Sequence, residues 1–183
     1  MSAVNRPNDT NTYLVAGAIV PLTCLMLMLV SCSSESTEIT AENIHATEDG
    51  KDFRGVNIGD PPSEVSSTEI AKSVYTMPDE LIYRIQADRN DSTWYEINYG
   101  FGDQGLNNIE LSVFLPNVHD AMNLRNEFRA LYSERYGECN IYQEFCSWST
   151  ITANGKDADI YLKDPVTIDD RSKLVIQFRE ASR

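Results

Sequence analysis

Histidine is scarce in this chain. His45 and His119 are the only two among 183 residues. The first lies in an acidic stretch and the second at a helix start, so a hydrolytic triad has no positioned base to draw on. Basic residues are also short, 15 against 28 acids, for a net charge of −13. That sign repels phosphate and excludes nucleic acid or an anionic leaflet as a direct partner surface. It fits plain solubility, or a basic partner. No glycine-rich phosphate loop occurs, and no Asp-x-Asp-x-Asp-Gly calcium loop. The acids Asp157, Asp159, Asp164, Asp169 and Asp170 read as strand alternation and loop residues. A calcium site across Asp164, Asp169 and Asp170 lacks a supporting motif. The sequence thus assigns no catalytic residue, no cofactor, no metal and no small-molecule substrate, and the chain reads as a non-enzyme.

Long apolar runs are rare too, which makes the one present informative. Tyr13 to Val30 carries no charge and ends at Leu29-Val30-Ser31-Cys32, followed at once by polar Ser33-Ser34-Glu35. Its length overlaps that of a transmembrane helix. An uncleaved helical anchor and a plain secretory signal are two readings of it. The ending favours a third: it resembles the bacterial lipobox, in which a leucine and small residues precede an invariant cysteine. The resemblance implies a signal peptide over residues 1–31, removal at Ser31, and acylation of the Cys32 thiol, so that membrane lipid is the first partner. Ser33 after the cysteine implies release to the outer membrane of a bacterial envelope. Arg6 and Asp9 cancel within the leader, so what remains keeps the full −13.

Residues 32–50 hold five acids and no Lys or Arg, with sparse apolar content. Such a segment is expected to stay a flexible tether, with a reach of about 25 Å and a solvated His45. Residues 51–183 suit a single globular domain. Of the four cysteines, Cys24 lies in the apolar run and Cys32 is the anchor. Cys139 and Cys146 remain, and in an oxidising compartment they are expected to pair. Their C-x6-C spacing does not fit a redox motif.

Along the domain, Gly55 to Asp60 reads as a short strand and turn. Asp60 is expected to N-cap a helix over Pro61 to Thr68, with Val65 its main apolar contact and Ile70 just beyond. Period-two alternation predicts strands over 81–86, 94–101 and 106–115. Asn117 and Asp120 mark the start of a longer helix, with Ala121, Leu124, Phe128 and Leu131 as its stripe, widened by Tyr132, and Gly137 at its end. Strands are expected over 147–153 and 156–162, joined by a two-residue Asn154-Gly155 turn. A polar loop follows over 164–172, then a strand over 174–178.

The order helix, three strands, helix, three strands predicts an α+β two-layer sandwich. A roughly six-stranded antiparallel sheet would carry both helices on one face, from a tandem α-β-β-β duplication. Val56-Asn57-Ile58-Gly59-Asp60 with Pro61-Pro62-Ser63-Glu64-Val65 resembles the opening of the small outer-membrane assembly lipoproteins. It is similar as well to the beta-lactamase-inhibitor-protein-like fold of tandem helix-plus-sheet units. The opposite sheet face would carry Trp94, Glu96, Asn98, Glu110, Ser112 and Phe114. Trp94, Glu96 and Phe114 are the candidate partner-binding residues there. Two functions follow as expectations: a membrane-anchored, non-catalytic protein-binding or assembly module docking an envelope protein, or an inhibitor or immunity-type lipoprotein whose acidic loops block an enzyme.

Overall fold

The computed structural model describes residues 39–46, 51–69, 71, 73–87 and 92–181. The apolar run, the lipobox, Cys32 and Ile70 lie outside the described residues. Among the described residues, no helix is long and apolar enough to cross a membrane.

The architecture is an antiparallel sheet with helices packed against one face. The strands are β1 (Ser73–Met77), β2 (Glu80–Gln86), β3 (Trp94–Gly102), β4 (Gly105–Leu115), β5 (Asn140–Ile141), β6 (Phe145–Ile151), β7 (Asp157–Lys163), β8 (Val166–Ile168) and β9 (Arg171–Glu180). They run in the order β1-β2-β3-β4-β9-β7-β6-β5, and β8 pairs with β9 off that path. Among the described residues the sheet therefore has nine strands and not six. Three were missed for separate reasons. β5 and β8 are too short to alternate, and β1 is exposed at all but its first residue, so it shows no buried face. The expected polar loop 164–172 is mostly the β8–β9 hairpin, turned at Asp169 with a left-handed φ of 56°.

Among the described residues the helices are α1 (Ala41–His45), α2 (Pro62–Thr68) and α3 (Val118–Tyr136). The α3 cap forms as the sequence predicts, with the Asn117 side chain accepting from the Asp120 amide and Gly137 ending the helix at φ 85°. Its stripe Ala121, Leu124, Phe128 and Tyr132 is buried against Trp148, Ile160, Leu174, Ile176 and Phe178 of the sheet. Burying each of these large side chains contributes roughly 1.5–3 kcal/mol. The alternation of β2, β3 and β4 also holds, with Leu81, Tyr83, Tyr95, Ile97, Tyr99, Ile109, Leu111, Val113 and Leu115 all in the same core.

Four local expectations are corrected. Residues 39–46, expected in the solvated tether, belong to the fold. Ala41, Ile44 and His45 of α1 are buried, and His45 is only 1% exposed. Ala41 and Ile44 stand three apart on one helical face, but five residues are too few for that period to be seen in sequence. Gly55 to Asp60 is a set of turns closed by one Phe53–Val56 bridge, not a strand. Asp60 does not cap α2, whose N-cap is Pro61 with no side-chain hydrogen bond. The Asp60 carboxylate instead accepts from the Asn57 amide at 2.7 Å and from Asn154 Nδ2 at 3.3 Å. Finally, Asn154-Gly155 does not form a two-residue turn. The β6–β7 connection runs from Thr152 to Lys156, with Thr152 N–H donating to the Lys156 carbonyl. Only Gly155 has positive φ there, whereas a type I′ turn needs it at both positions. Asn154 is instead drawn to the Ile58 carbonyl and Asp60.

Candidate partner-binding face and the buried charge cluster

The sequence-predicted site residues meet on the sheet face opposite the helices. Cross-strand register puts Trp94 opposite Phe114 and Arg84 opposite Glu96, and puts Phe114 opposite Lys173. Side chains directly opposed in an antiparallel pair are near enough to stack. Trp94 and Phe114 do, with ring centres 3.8 Å apart and planes 16° from parallel. The Arg84 guanidinium lies 4.5 Å from the centre of the Trp94 ring, and Lys173 Nζ lies 5.6 Å from that of Phe114. Glu96 accepts from Arg84 Nε at 2.9 Å. The result is a row of cation, ring, ring and cation, with Glu96 fixing one end.

That arrangement changes what Trp94 and Phe114 offer. Both are half-buried against each other, so neither is a free knob for insertion into a partner's pocket. The rings and cations instead form a preorganised platform. Each aromatic pair or cation–ring contact contributes about 0.5–1.5 kcal/mol. Beside it runs a polar row. Asn98 Nδ2 donates to Glu80 at 2.6 Å, and Gln177 Nε2 donates to Glu110 at 2.9 Å. Asn98 Oδ1 has no hydrogen-bond partner among the described residues. The Ser112 hydroxyl also donates to Glu110, at 3.4 Å.

The other predicted residues fall elsewhere. Cys139 and Cys146 are joined, with Cα atoms 5.7 Å apart, and the bond ties the end of α3 to β6. Asp164 is not part of an acidic cluster, because it pairs with Arg125 Nη2 of α3 at 2.6 Å. Among the described residues, no three His, Cys, Asp or Glu side chains assemble to hold a metal. His119 is exposed.

No family model matches this chain. No curated protein and no solved structure matches it either.

Sequence reasoning missed a buried charge cluster on the helix side. Arg54, at the left-handed φ of 46°, presents Nε and Nη2 to the two Glu69 oxygens at 3.0 and 3.2 Å. Tyr99 of β3 donates its hydroxyl to the same carboxylate. Arg54 Nη1 donates to the Ile44 carbonyl, and the Arg54 amide donates to the His45 carbonyl, so one residue also closes the end of α1. Burial works to lower the Arg54 pKa, but the Glu69 hydrogen bond and charge outweigh it and raise it. Burial first, and Glu69 second, push the Tyr99 hydroxyl well above its ordinary range. Nearby, Asp52 accepts from the amides of Ile58 and Ala153, tying the 52–60 turns to the β6–β7 connection. Burial raises its pKa.

The expectation of a solvated His45 is overturned by the same region. Arg135 Nη1 lies 2.5 Å from His45 Nε2, and the Tyr132 hydroxyl is 3.4 Å from Nδ1. An arginine only donates, so Nε2 accepts and the ring is the neutral Nδ1–H tautomer. Burial first, then the charges of Arg135 and Arg54, lower the His45 pKa to about 3. These groups position helices: Arg54 holds the end of α1 to Glu69, and His45 holds it to α3. The signal that could have found them is weak. It is an Arg and a Glu flanking a predicted helix, with no apolar period between them.

Proposed function

We propose that this protein is a lipid-anchored, non-catalytic binding module of a bacterial envelope, which docks a protein partner on the open sheet face. The observation that carries the reading is the Arg84–Trp94–Phe114–Lys173 row with Glu96, a rigid cation–aromatic platform on the face that carries no helix side chains of the core. Aromatic residues and arginine are the usual energetic centres of protein interfaces. The lipobox resemblance supplies the anchor, and Cys32 would carry the acyl chains that hold the domain at the membrane. We extend the fold reading in the same proposal: the two halves, each a helix followed by a meander, descend from a tandem unit, which their element order supports.

The test is photocrosslinking in intact envelopes. A crosslinking residue at Val175 or Gln177, on the platform face, gives a discrete adduct; one at Asn123 or Asn126 on the outer side of α3 does not. Trp94→Glu weakens the adduct, and Cys32→Ala removes both the adduct and incorporation of labelled palmitate. Adducts of equal strength from both faces would sink the docking reading. Survival of the adduct at high salt separates aromatic docking from inhibition by acidic loops, since screening weakens the latter.

A further inference from the structure

The two ends of the sheet are finished differently. At one end β5 has two residues and is held by the Cys139–Cys146 bond beside it. Short, tied edges are blunt and poor templates for pairing. At the other end β1 has five residues, Ser73 to Met77, with no charge and no proline within it. Val74, Tyr75 and Met77 are 56%, 42% and 48% exposed. Only β2 pairs with β1, and among the described residues no strand meets its other edge. The register irregularity lies between Ser73 and Tyr75, which leaves Tyr75 to Met77 regular.

That regular stretch runs into a groove. Pro78 and Asp79, the turn after β1, line an open cavity of about 490 Å³ with Pro61, Pro62, Phe101 and Asp103. Three prolines and a phenylalanine make stiff apolar walls, two carboxylates supply the charge, and among the described residues no lysine or arginine lines it. The walls are fixed by backbone bonds, Phe101 N–H to the Asp79 carbonyl and Leu106 N–H to the Asp60 carbonyl. Apolar walls with carboxylates match the alkyl stem and charged head of a lysine or arginine.

From the free edge and the acidic groove that continues it, we propose that β1 is an acceptor for an extended segment of another protein. That segment would add a strand to the sheet and place a lysine or arginine in the Pro61–Pro78–Phe101 groove. Backbone pairing would supply affinity and the groove would supply specificity. A second copy of this chain fits poorly, since each carries −13 and would bring like charge to like. The chain's own residues 33–50, with five acids and no base, fail for the same reason. This surface is separate from the Trp94–Phe114 platform and does not depend on lipid attachment.

The hairpin offers a clean variant. Pro78 and Asp79 form a two-residue turn closed by the Met77–Glu80 pair. Backbone groups alternate along an antiparallel ladder, so Met77 bonds to β2 and the Thr76 N–H points to the free edge. Thr76→Pro removes that donor without breaking the β1–β2 ladder. The probe is a short peptide of alternating threonine and valine with arginine at both ends, set against the same peptide with glutamate at both ends, added to the full chain. The arginine peptide slows hydrogen exchange at the Thr76 amide and binds roughly tenfold tighter than the glutamate peptide. Thr76→Pro melts as the parent does and loses binding. Asp79→Asn with Asp103→Asn keeps the fold and brings the two peptides to equal affinity, which holds the test open should the proline variant unfold. The proposal is overturned by an unslowed Thr76 amide at saturating peptide, or by equal binding of the two peptides to the parent. It is overturned too by a Thr76 amide already protected in the free chain, with a dimer in sedimentation.

Discussion

Arg54 does three jobs that would ordinarily fall to three residues. It closes α1 by its amide and Nη1, forks onto Glu69 at the end of α2, and shares that carboxylate with Tyr99 of the sheet. Side chains of Arg54 and Glu69 are 15% and 1% exposed, so both charges sit largely out of water. Breaking such a pair leaves one charge uncompensated, while replacing both partners removes the desolvation cost along with the attraction. We therefore expect Glu69→Leu alone to lower stability by about 3–5 kcal/mol, and the double change Arg54→Met with Glu69→Leu to recover most of the loss. Urea unfolding of the parent, the single variants and the double variant measures it. A double variant no better than the worse single variant would contradict this account. Gly105 is a second position decided by one contact. At φ 96°, a Cβ there would stand 2.3 Å from the Gly59 carbonyl oxygen. Gly105→Ala should therefore unfold the 59–60 turn from the β3–β4 turn, and a drop in melting temperature reports it.

Helix α1 is held by its far end. His45 packs edge-on to Phe53 and Tyr132 and stacks near Phe178, while Arg135 and Arg54 face it from α3 and the 52–60 segment. The ring stays neutral in the fold down to about pH 3, whereas it protonates near 6.5 once exposed. As pH falls below 6.5 the unfolded chain binds the proton first, so stability is full above 6.5 and is lost between 6.5 and about 3. The slope is about 1.4 kcal/mol per pH unit. His45→Gln should flatten the profile between pH 6.5 and 5, above the range of ordinary carboxylates; an unchanged slope would place the acid sensitivity elsewhere. Just past the same end of α3, the Cys139–Cys146 bond closes a short loop, so its loss should cost at most roughly 2–3 kcal/mol. Thiol counting on the denatured, unreduced chain, followed by unfolding of Cys139→Ser with Cys146→Ser, measures both the pairing and its value. Since β5 begins one residue after Cys139, the pair also keeps that edge short.

For the whole molecule, one core joins helices and sheet, and the Arg54–Glu69 pair is buried beside it. Buried residues from α1, α2, α3 and all the longer paired strands fall in one cluster, from Ile44 and Val65 to Leu124 and Phe178. With −13 spread over the surface, association with a basic partner should weaken as salt rises, and docking on the Trp94–Phe114 platform should not. The long strands β3 and β4 were legible because each alternates over many residues, whereas only the 174–178 half of β9 was, its start being read as loop. The helix after Asn117 was legible because its cap and its stripe agree. The edge strands, α1 and the Arg54–Glu69–Tyr99 cluster were not. A five-residue segment carries too little period, and a buried ion pair between residues 15 apart leaves no pattern in a list of charges.

The sequence alone determined the properties that depend on local order. These are the period of the core strands, the start and stop of α3, the sign of the charge, and the lipobox-like run on which the anchoring proposal rests. Only the tertiary structure decided which strands are edges, that β9 slots between β4 and β7, and that His45 belongs to the core. It also decided that Trp94 and Phe114 stack on one another, so that they do not stand free. Each of these depends on contacts between distant parts of the chain. Burial, cross-strand register and charge pairing exist only once those parts meet.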